Sequence, residues 1–104
     1  MIIHYHVWFS LKPGVSEKEG LSFARSFIEE LSAQRKLLRG TVLKNTSEPP
    51  KSQLLRYHAL FEFSDDDQMT AAFAMKRKEG IHGGPHGKLM DSVSEFRIEV
   101  FREI

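Results

Sequence analysis

Apolar and polar side chains alternate with period two along the first strand-forming stretch of the chain, MIIHYHVWFSL. Every second residue from Ile3 to Leu11 is apolar, and His4, His6 and Trp8 lie at positions between them. Because successive side chains of a strand point to opposite faces, this pattern predicts one wholly apolar face and one face that carries two imidazoles and an indole. We expect the apolar face to join the core and the other face to hold any chemistry.

The rest of the chain continues with helices and further strands. Ser16 and Glu19 stand at the spacing of a capping box, which predicts the start of a first amphipathic helix. Pro49 and Pro50 mark a loop, because proline cannot donate to the ladder of a central strand. The predicted segments are a helix over 16–35, strands over 38–45 and 53–63, a helix from 64, an irregular glycine-rich segment over 79–87, a short helical turn over 88–92 and a strand over 95–102.

This order, β-α-β-β-α-β, predicts an α+β fold, a ferredoxin-like sandwich with a four-stranded antiparallel sheet and two helices on one face. The face away from the helices holds Trp8, Leu60 and Phe101 among polar groups. Three large apolar side chains on one open sheet make an unusual patch for a monomer. We therefore expect two copies to pair sheet to sheet as a homodimer that encloses a cavity. The alternative is a monomer with scattered exposed hydrophobic residues.

Composition limits the classes of function. The 104 residues suffice for one domain with its own core. With 15 basic and 14 acidic residues the net charge is +1, which is too weak a bias to predict a nucleic-acid or membrane partner. The absence of cysteine excludes a disulfide framework and a thiolate nucleophile. No secretory signal is visible at the N-terminus, no apolar run reaches membrane length, and we expect a cytoplasmic protein.

Short motifs along the whole chain resemble those of a known group. They are HVW at 6–8 leading into LKPGV at 11–15, YH followed by FEF within 57–63, EGIH at 79–82 and PH at 85–86. With these motifs the chain resembles the dimeric α+β-barrel superfamily, in particular the stress-responsive A/B-barrel domain group and its uncharacterised bacterial relatives. The resemblance implies a single ferredoxin-like domain over residues 1–104 that pairs sheet to sheet. It does not imply one activity, since such relatives include cofactor-free oxygenases, cyclases, isomerising or decarboxylating enzymes, haem degraders and proteins of no known activity.

His6 and His58 are the candidate proton carriers on the cavity face, with Glu62 as the carboxylate beside them. Imidazole is the side chain whose ordinary pKa, about 6.5, lets it exchange a proton near neutral pH. Under a second interpretation the two histidines are hydrogen-bonded cross-strand neighbours that stabilise the barrel. The pattern leaves both interpretations open.

Further side chains are expected to line the cavity and to bind a ligand. They are His4, Trp8, Arg56, Leu60, Arg97, Phe101, His82 and His86. His4 comes at the strand start and is expected at the mouth of the barrel. Segment 79–87 has two interpretations: a flexible loop that enters a short helix at Pro85, or a lid whose histidines reach the cavity.

Other chemistries find less support in the pattern. A metal site made of the histidines and Glu62 lacks a tight ligand signature, and we predict neither metal nor cofactor. Nothing selects a haem ligand among His6, His58 and His86. An RNA-recognition domain has the same element order, but the third strand lacks its Lys/Arg-Gly-aromatic run.

The sequence therefore predicts a homodimer that binds a small, partly apolar molecule in a sheet-lined, histidine-containing cavity. Two alternatives stay open. One is a cofactor-free enzyme of the oxygenase, cyclase or isomerase type that uses a cavity histidine as general base. The other is a structural or stress-associated dimer with a filled barrel. Whether the protein is an enzyme is left undecided by the residues alone.

Overall fold

Four strands form one antiparallel sheet in the computed structural model, which describes residues 1–47, 55–79 and 84–104. The elements are β1 (Ile3–Leu11), α1 (Glu17–Ala33), β2 (Arg39–Lys44), β3 (Tyr57–Phe63), α2 (Asp66–Glu79), α3 (Gly84–Ser92) and β4 (Val93–Arg102). The strand order across the sheet is β2-β3-β1-β4, with every neighbouring pair antiparallel. The predicted α+β class and the ferredoxin-like sandwich are confirmed.

Two differences from the prediction exceed two residues. The described part of β3 begins at Tyr57 rather than at 53, where the predicted strand started outside the described residues. A third helix, α3, includes residues 84–87 of the predicted irregular segment and the helical turn expected before the last strand. Proline is well tolerated in the first turn of a helix because it lacks the amide that would be unpaired there. Pro85, the second residue of α3, therefore starts the helix, and Leu89 anchors it in the core.

The N-terminus of α1 follows the capping pattern. The side-chain oxygen of Ser16 accepts a hydrogen bond from the backbone N–H of Glu19 at 3.1 Å, which satisfies one of the amides that a helix start leaves unpaired. The helix then buries Leu21, Ala24 and Phe27 against the sheet. This fixed start holds α1 over the sheet face on which the core forms.

The core lies between the helices and one face of the sheet. Its buried members come from the helix-facing positions of the strands and the inner sides of the helices: Ile3, Phe9, Leu21, Ala24, Phe27, Leu31, Leu37, Ala59, Phe61, Phe63, Ala72, Leu89 and Val93. Tyr5, Val7 and Tyr57 pack against this cluster, so the predicted apolar face does join the core. No helix in the described part of the chain is long and apolar enough to cross a bilayer.

The helices leave the outer strand β4 uncovered, which the sequence pattern did not predict. Phe96, Ile98 and Val100 occupy helix-facing positions, opposite Phe9, Val7 and Tyr5 of β1. They are nevertheless 50%, 42% and 41% exposed. The reason is the placement of the helices, since α1 packs on β2 and α3, and α2 packs on β3. An apolar row therefore remains open at one edge of the sheet.

Gly40 on β2 gives the first testable prediction. A β-carbon at this position would lie 2.8 Å from Cγ1 of Ile28, and a branched side chain cannot swing clear. Gly40→Ala should therefore lower the free energy of unfolding by about 1–3 kcal/mol. In an Ile28→Ala background, where the space is free, the same change should be neutral or stabilising by about 0.4–1 kcal/mol. Urea unfolding of the parent, the two single variants and the double variant checks this, and equal losses in both backgrounds would contradict the packing argument.

Candidate functional site

The sheet has an open face, the face away from the helices, and it carries most of the predicted site. Strand register places these side chains there: Arg39, Thr41 and Leu43 of β2, His58, Leu60 and Glu62 of β3, His4, His6 and Trp8 of β1, and Arg97, Glu99 and Phe101 of β4. His6 and His58 lie on this face while Val7 and Ala59 lie on the helix side. The face therefore combines three histidines, four charged groups and exposed aromatic surface.

Three aromatic rings at the centre of the open face form a cluster, the ring cluster of His6, Trp8 and His58. Its ring centroids are 4.7–5.2 Å apart with planes within 17° of parallel. A hydrogen bond joins Nδ1 of His6 and Nε2 of His58 at 2.9 Å. One of these nitrogens must donate and the other accept, so the pair cannot carry two full positive charges and keep the bond.

Burial favours the neutral forms of this pair. The pKa of His6 is lowered from 6.5 by burial and by the nearby His4, and the pKa of His58 is lowered by burial and by His6. The two imidazoles are therefore predominantly neutral at pH 7. The cluster has the hydrogen bonding of a satisfied pair, and its geometry fits the stabilising interpretation of these histidines.

Glu62 does not contact the ring cluster. Its carboxylate lies 3.5 Å from Nδ1 of His4 and 3.9 Å from Nε of Arg39. The other ring nitrogen of His4 lies 3.0 Å from the carboxylate of Glu103. The sequence grouped Glu62 with His6 and His58, but the structure joins it to His4, because His4 is its direct partner in the ladder. His4 is thus held between two carboxylates.

The predicted arginines lie at the margins. Arg56 precedes β3, is exposed, and donates from Nη1 to the backbone carbonyl of Asn45 at 3.1 Å. Arg97 forms an exposed ion pair with Glu99 at 3.4 Å. Both arginine side chains are exposed to solvent.

A shallow depression of about 360 Å³ adjoins the ring cluster. Trp8 and His58 form its floor beside side chains from the end of β2 and the approach to β3, namely Leu43, Lys44, Asn45, Ser47 and Leu55. Because it is open to solvent, it offers a ligand little burial.

A deeper cavity, the inner cavity, lies on the other side of the sheet, between the sheet and the helices. Its volume is about 270 Å³. Apolar and aromatic side chains make up most of its wall: Tyr5, Val7, Phe27, Leu31, Ala59, Phe61, Phe63, Ala72, Phe73, Leu89, Met90, Phe96 and Ile98, with Lys76 and His86 as the other lining residues. A mostly apolar pocket with a few polar groups is the usual form of a small-molecule site.

His86 is the titratable histidine of this cavity. It lies in α3, with its ring edge-on to Phe27 at a centroid distance of 5.2 Å. Burial, and next the positive charge of Lys76, lower the pKa of His86 from 6.5 to about 4. His86 is therefore neutral at pH 7 and offers one hydrogen-bond donor and one acceptor.

Lys76 of α2 supplies the positive charge beside it. Its Nζ lies 3.0 Å from the centroid of the Phe27 ring, which is a cation–π contact. Burial raises the pKa of Tyr5, so its phenol stays protonated. Three groups with hydrogen-bonding atoms, on β1, α2 and α3, therefore line an otherwise apolar space.

The residues predicted to form one site thus lie in two places, the open face and the inner cavity. The interpretation in which a short helix starts at Pro85 agrees with the structure, but His86 in that helix lines the inner cavity rather than the sheet-face cavity in which it was expected. Sequence reasoning missed Tyr5 and Phe27 as site residues because their spacing is that of core positions. Pro85 followed by His86 and Leu89, three residues apart, was the available signal that His86 and the core share one side of a helix.

Two further points concern a predicted ligand-binding residue and the metal site considered from the sequence. His82 falls outside the described residues. Among residues 1–47, 55–79 and 84–104, no three His, Cys, Asp or Glu side chains converge in a way that could hold a metal ion.

Comparison with models of protein families identifies the family to which the chain belongs. A family model described as a family of unknown function, DUF6614, matches residues 2–104. The chain belongs to this family. No curated protein matches the sequence.

Solved structures share the fold of this DUF6614 chain over nearly its whole length. A DABB family protein with a ferredoxin-like fold from Mesorhizobium loti is 20% identical, with a TM-score of 0.68, over 99% of this chain and 97% of that one. SnoaB from Streptomyces nogalater, described as a cofactor-independent oxygenase, is 16% identical with a TM-score of 0.73, over 98% and 92%. A dimeric ferredoxin-like protein of unknown function from a Jannaschia species is 16% identical with a TM-score of 0.71, over 99% and 100%. The resemblance to dimeric α+β-barrel proteins is confirmed at the level of fold.

The low pKa of His86 predicts a pH dependence of stability. The folded chain has a pKa of about 4 where the unfolded chain has about 6.5, so between these values only the unfolded chain binds the proton and acid destabilises the fold. His86→Gln keeps a polar side chain but cannot titrate. The loss of unfolding free energy from pH 7 to pH 5 should be smaller in the variant, by on the order of 1 kcal/mol after allowance for partial exposure.

Urea unfolding at both pH values measures the difference. Carboxylates that titrate in the same range contribute equally to parent and variant, and therefore cancel. Identical pH slopes in the two proteins would show that His86 is not held in its neutral form by the fold.

Proposed function

We propose that this DUF6614 protein binds a small, partly apolar molecule in the inner cavity. The observation that carries the proposal is an apolar space of about 270 Å³ into which one neutral histidine, His86, is built. Ligand sites typically have volumes of about 300–1,000 Å³ and a few convergent polar groups. The volume of the inner cavity is slightly below that range, which suits a small ligand of one or two rings or a short branched chain.

The chemistry of the wall narrows the ligand class. His86 and the phenol of Tyr5 offer hydrogen bonds without formal charge, and the remaining lining, apart from Lys76, is apolar. A neutral ligand with a hydroxyl or carbonyl group on an apolar skeleton matches this wall. 1-Naphthol has that chemistry and serves as a fluorescent probe of the site.

The open face supports a homodimer through the sheets. Phe101 is 56% exposed there, and Trp8 and Leu60 share the face. Arg97 and Glu99 bring both signs of charge to the same surface, so a second copy of the face is complementary to it. Structural neighbours from Jannaschia and Thermobifida fusca are described as dimeric. In such a dimer the ring cluster packs at the interface.

A histidine-dependent enzyme is the second candidate function. The hydrogen bond between His6 and His58 provides a neutral imidazole that could accept a proton, and neutral His86 provides another in an apolar setting. SnoaB is described as a cofactor-independent oxygenase. Glu62 would act in this reaction only through a rearrangement that brings it from His4 to the ring cluster.

Filling the inner cavity tests the binding proposal. Ala72 lines the cavity from α2 and is buried, whereas Ala74 lies exposed on the same helix. Ala72→Leu should weaken the binding of 1-naphthol more than 10-fold, since the added atoms occupy the ligand's space, while Ala74→Leu should leave it unchanged. Isothermal titration gives both affinities, and melting curves show that each variant folds. Equal affinity of the two variants for 1-naphthol would show that the ligand does not bind in the inner cavity.

His58→Ala separates a structural from a ligand-binding role of the ring cluster. Removing one partner of the His6–His58 bond leaves the other partly buried and unpaired, which should cost about 1–3 kcal/mol of stability. At protein concentrations at which the variant is dimeric, the affinity for 1-naphthol should not change, because the inner cavity lies across the sheet. His58→Gln, which keeps a hydrogen-bonding group, should recover part of the stability. Loss of binding or turnover with unaltered melting would instead place the functional site on the open face.

A further inference from the structure

The helix-facing side of the outer strand is apolar and exposed. β4 is ten residues long, and among the described residues it pairs with the sheet on one side only. Its sequence, VSEFRIEVFR, holds no proline, and three of its four charged residues lie on the open-face side, so the helix-facing side has little of the charge that commonly prevents edge strands from pairing with other chains. On its helix-facing side Phe96, Ile98 and Val100 form the edge row, and each is more than 40% exposed.

The edge row is also part of the candidate ligand site. Phe96 and Ile98 line the inner cavity, whereas Val100, next along the row, does not. The same two side chains therefore contact the cavity on one side and solvent on the other. As far as the described residues show, this side of the cavity wall is exposed to solvent.

A second copy of the chain is the occupant that fits this edge. The edge row continues around β4 onto the open face through Phe101, which is itself exposed. The strand also carries Arg97 and Glu99, neighbours of opposite charge, so that an identical surface offers each charge a partner. One surface, apolar on the helix-facing side of the strand and mixed in charge on the other side, suits a self-complementary contact.

We propose that a second copy of the chain covers the edge row and completes the wall of the inner cavity, so that dimer formation and ligand binding strengthen each other. This inference rests on the proposed function, since it needs a ligand in that cavity. Covering the row removes Phe96 and Ile98 from water and fixes their side chains against the ligand. Coupling between two binding equilibria is reciprocal. Because a dimer has two inner cavities, saturating ligand must tighten the dimer by the square of the factor by which dimer formation raises the affinity of each cavity.

The wild-type protein provides the first test. Sedimentation velocity over a concentration series, with and without saturating 1-naphthol, gives the dimer dissociation constant in each state. We expect a dimer at micromolar concentration, at about twice 12.0 kDa, and about 5- to 150-fold tighter association with 1-naphthol bound. Because the dimer has two cavities, the affinities for 1-naphthol above and below the dimer dissociation constant should differ by the square root of that factor.

Val100→Lys provides the second test, because Val100 belongs to the edge row but not to the cavity wall. The buried charge should weaken the dimer at least 100-fold, and the affinity for 1-naphthol should fall to that of the wild-type monomer. Val100→Thr, which keeps the shape of the side chain, is the matched control and should retain both properties. Far-UV circular dichroism confirms folding, and the wild-type concentration series decides the question alone if Val100→Lys does not fold.

The outcomes distinguish this inference from the function on which it rests. A monomeric Val100→Lys protein with wild-type affinity for 1-naphthol would overturn the coupling and leave the proposed function standing. The coupling is likewise overturned, and the function left standing, if 1-naphthol binds without changing the dimer dissociation constant of the wild-type protein. A wild-type dimer that binds no 1-naphthol overturns the proposed function and the coupling together. A wild-type protein that binds 1-naphthol but stays monomeric overturns the coupling alone.

Discussion

The register of β1 between its two neighbours is the constraint on which the rest of this structure depends. β1 is hydrogen-bonded to β3 on one side and to β4 on the other, and its side chains alternate between two unlike environments. A slip of one residue would exchange His6 with Val7 and put the imidazoles into the core. An apolar core tolerates unpaired imidazoles poorly. The apolar side chains on the helix side of β1 and the ring cluster on its open face therefore favour the same register.

The alternation separates two kinds of histidine chemistry by the thickness of one sheet. On the open face, His6 and His58 satisfy each other and stack beside Trp8. On the helix side, His86 is held neutral among aromatic side chains and near a cation. In the first arrangement, the facing nitrogens of the two imidazoles are hydrogen-bonded to each other. The second leaves a neutral imidazole at the wall of an apolar space, which is why we assign ligand binding to the inner cavity rather than to the open face.

The sequence predicts the face of each strand residue well, because period two is a strictly local rule. Trp8, Leu60 and Phe101 fall on one face, and Tyr5 and Ala59 on the other, as the alternation requires.

The pattern cannot predict where a helix lies over the sheet, which is decided by packing between distant parts of the chain. That limit explains each error in the site. Glu62 has His4 as its ladder partner, and the diagonal bond between His6 and His58 depends on ring orientation, which residue spacing does not encode. His86 comes to the inner cavity through the packing of α3 on α1, and the exposure of β4 follows from the helices lying over the other strands.

An energetic argument connects the cavity with the open edge. Empty space in a core costs about 24 cal/mol per Å³, so a wholly empty and closed cavity of about 270 Å³ would cost several kcal/mol, a large part of the roughly 5–15 kcal/mol by which a domain is stable. The aromatic side chains around it could reduce that cost by collapsing, yet Phe27, Phe61 and Phe73 line the space instead. The opening beside Phe96 and Ile98 lets solvent or a ligand occupy it in the single chain. In the dimer that we propose, a second copy covers that edge, so the cost of an empty cavity returns and the closed dimer favours a bound molecule.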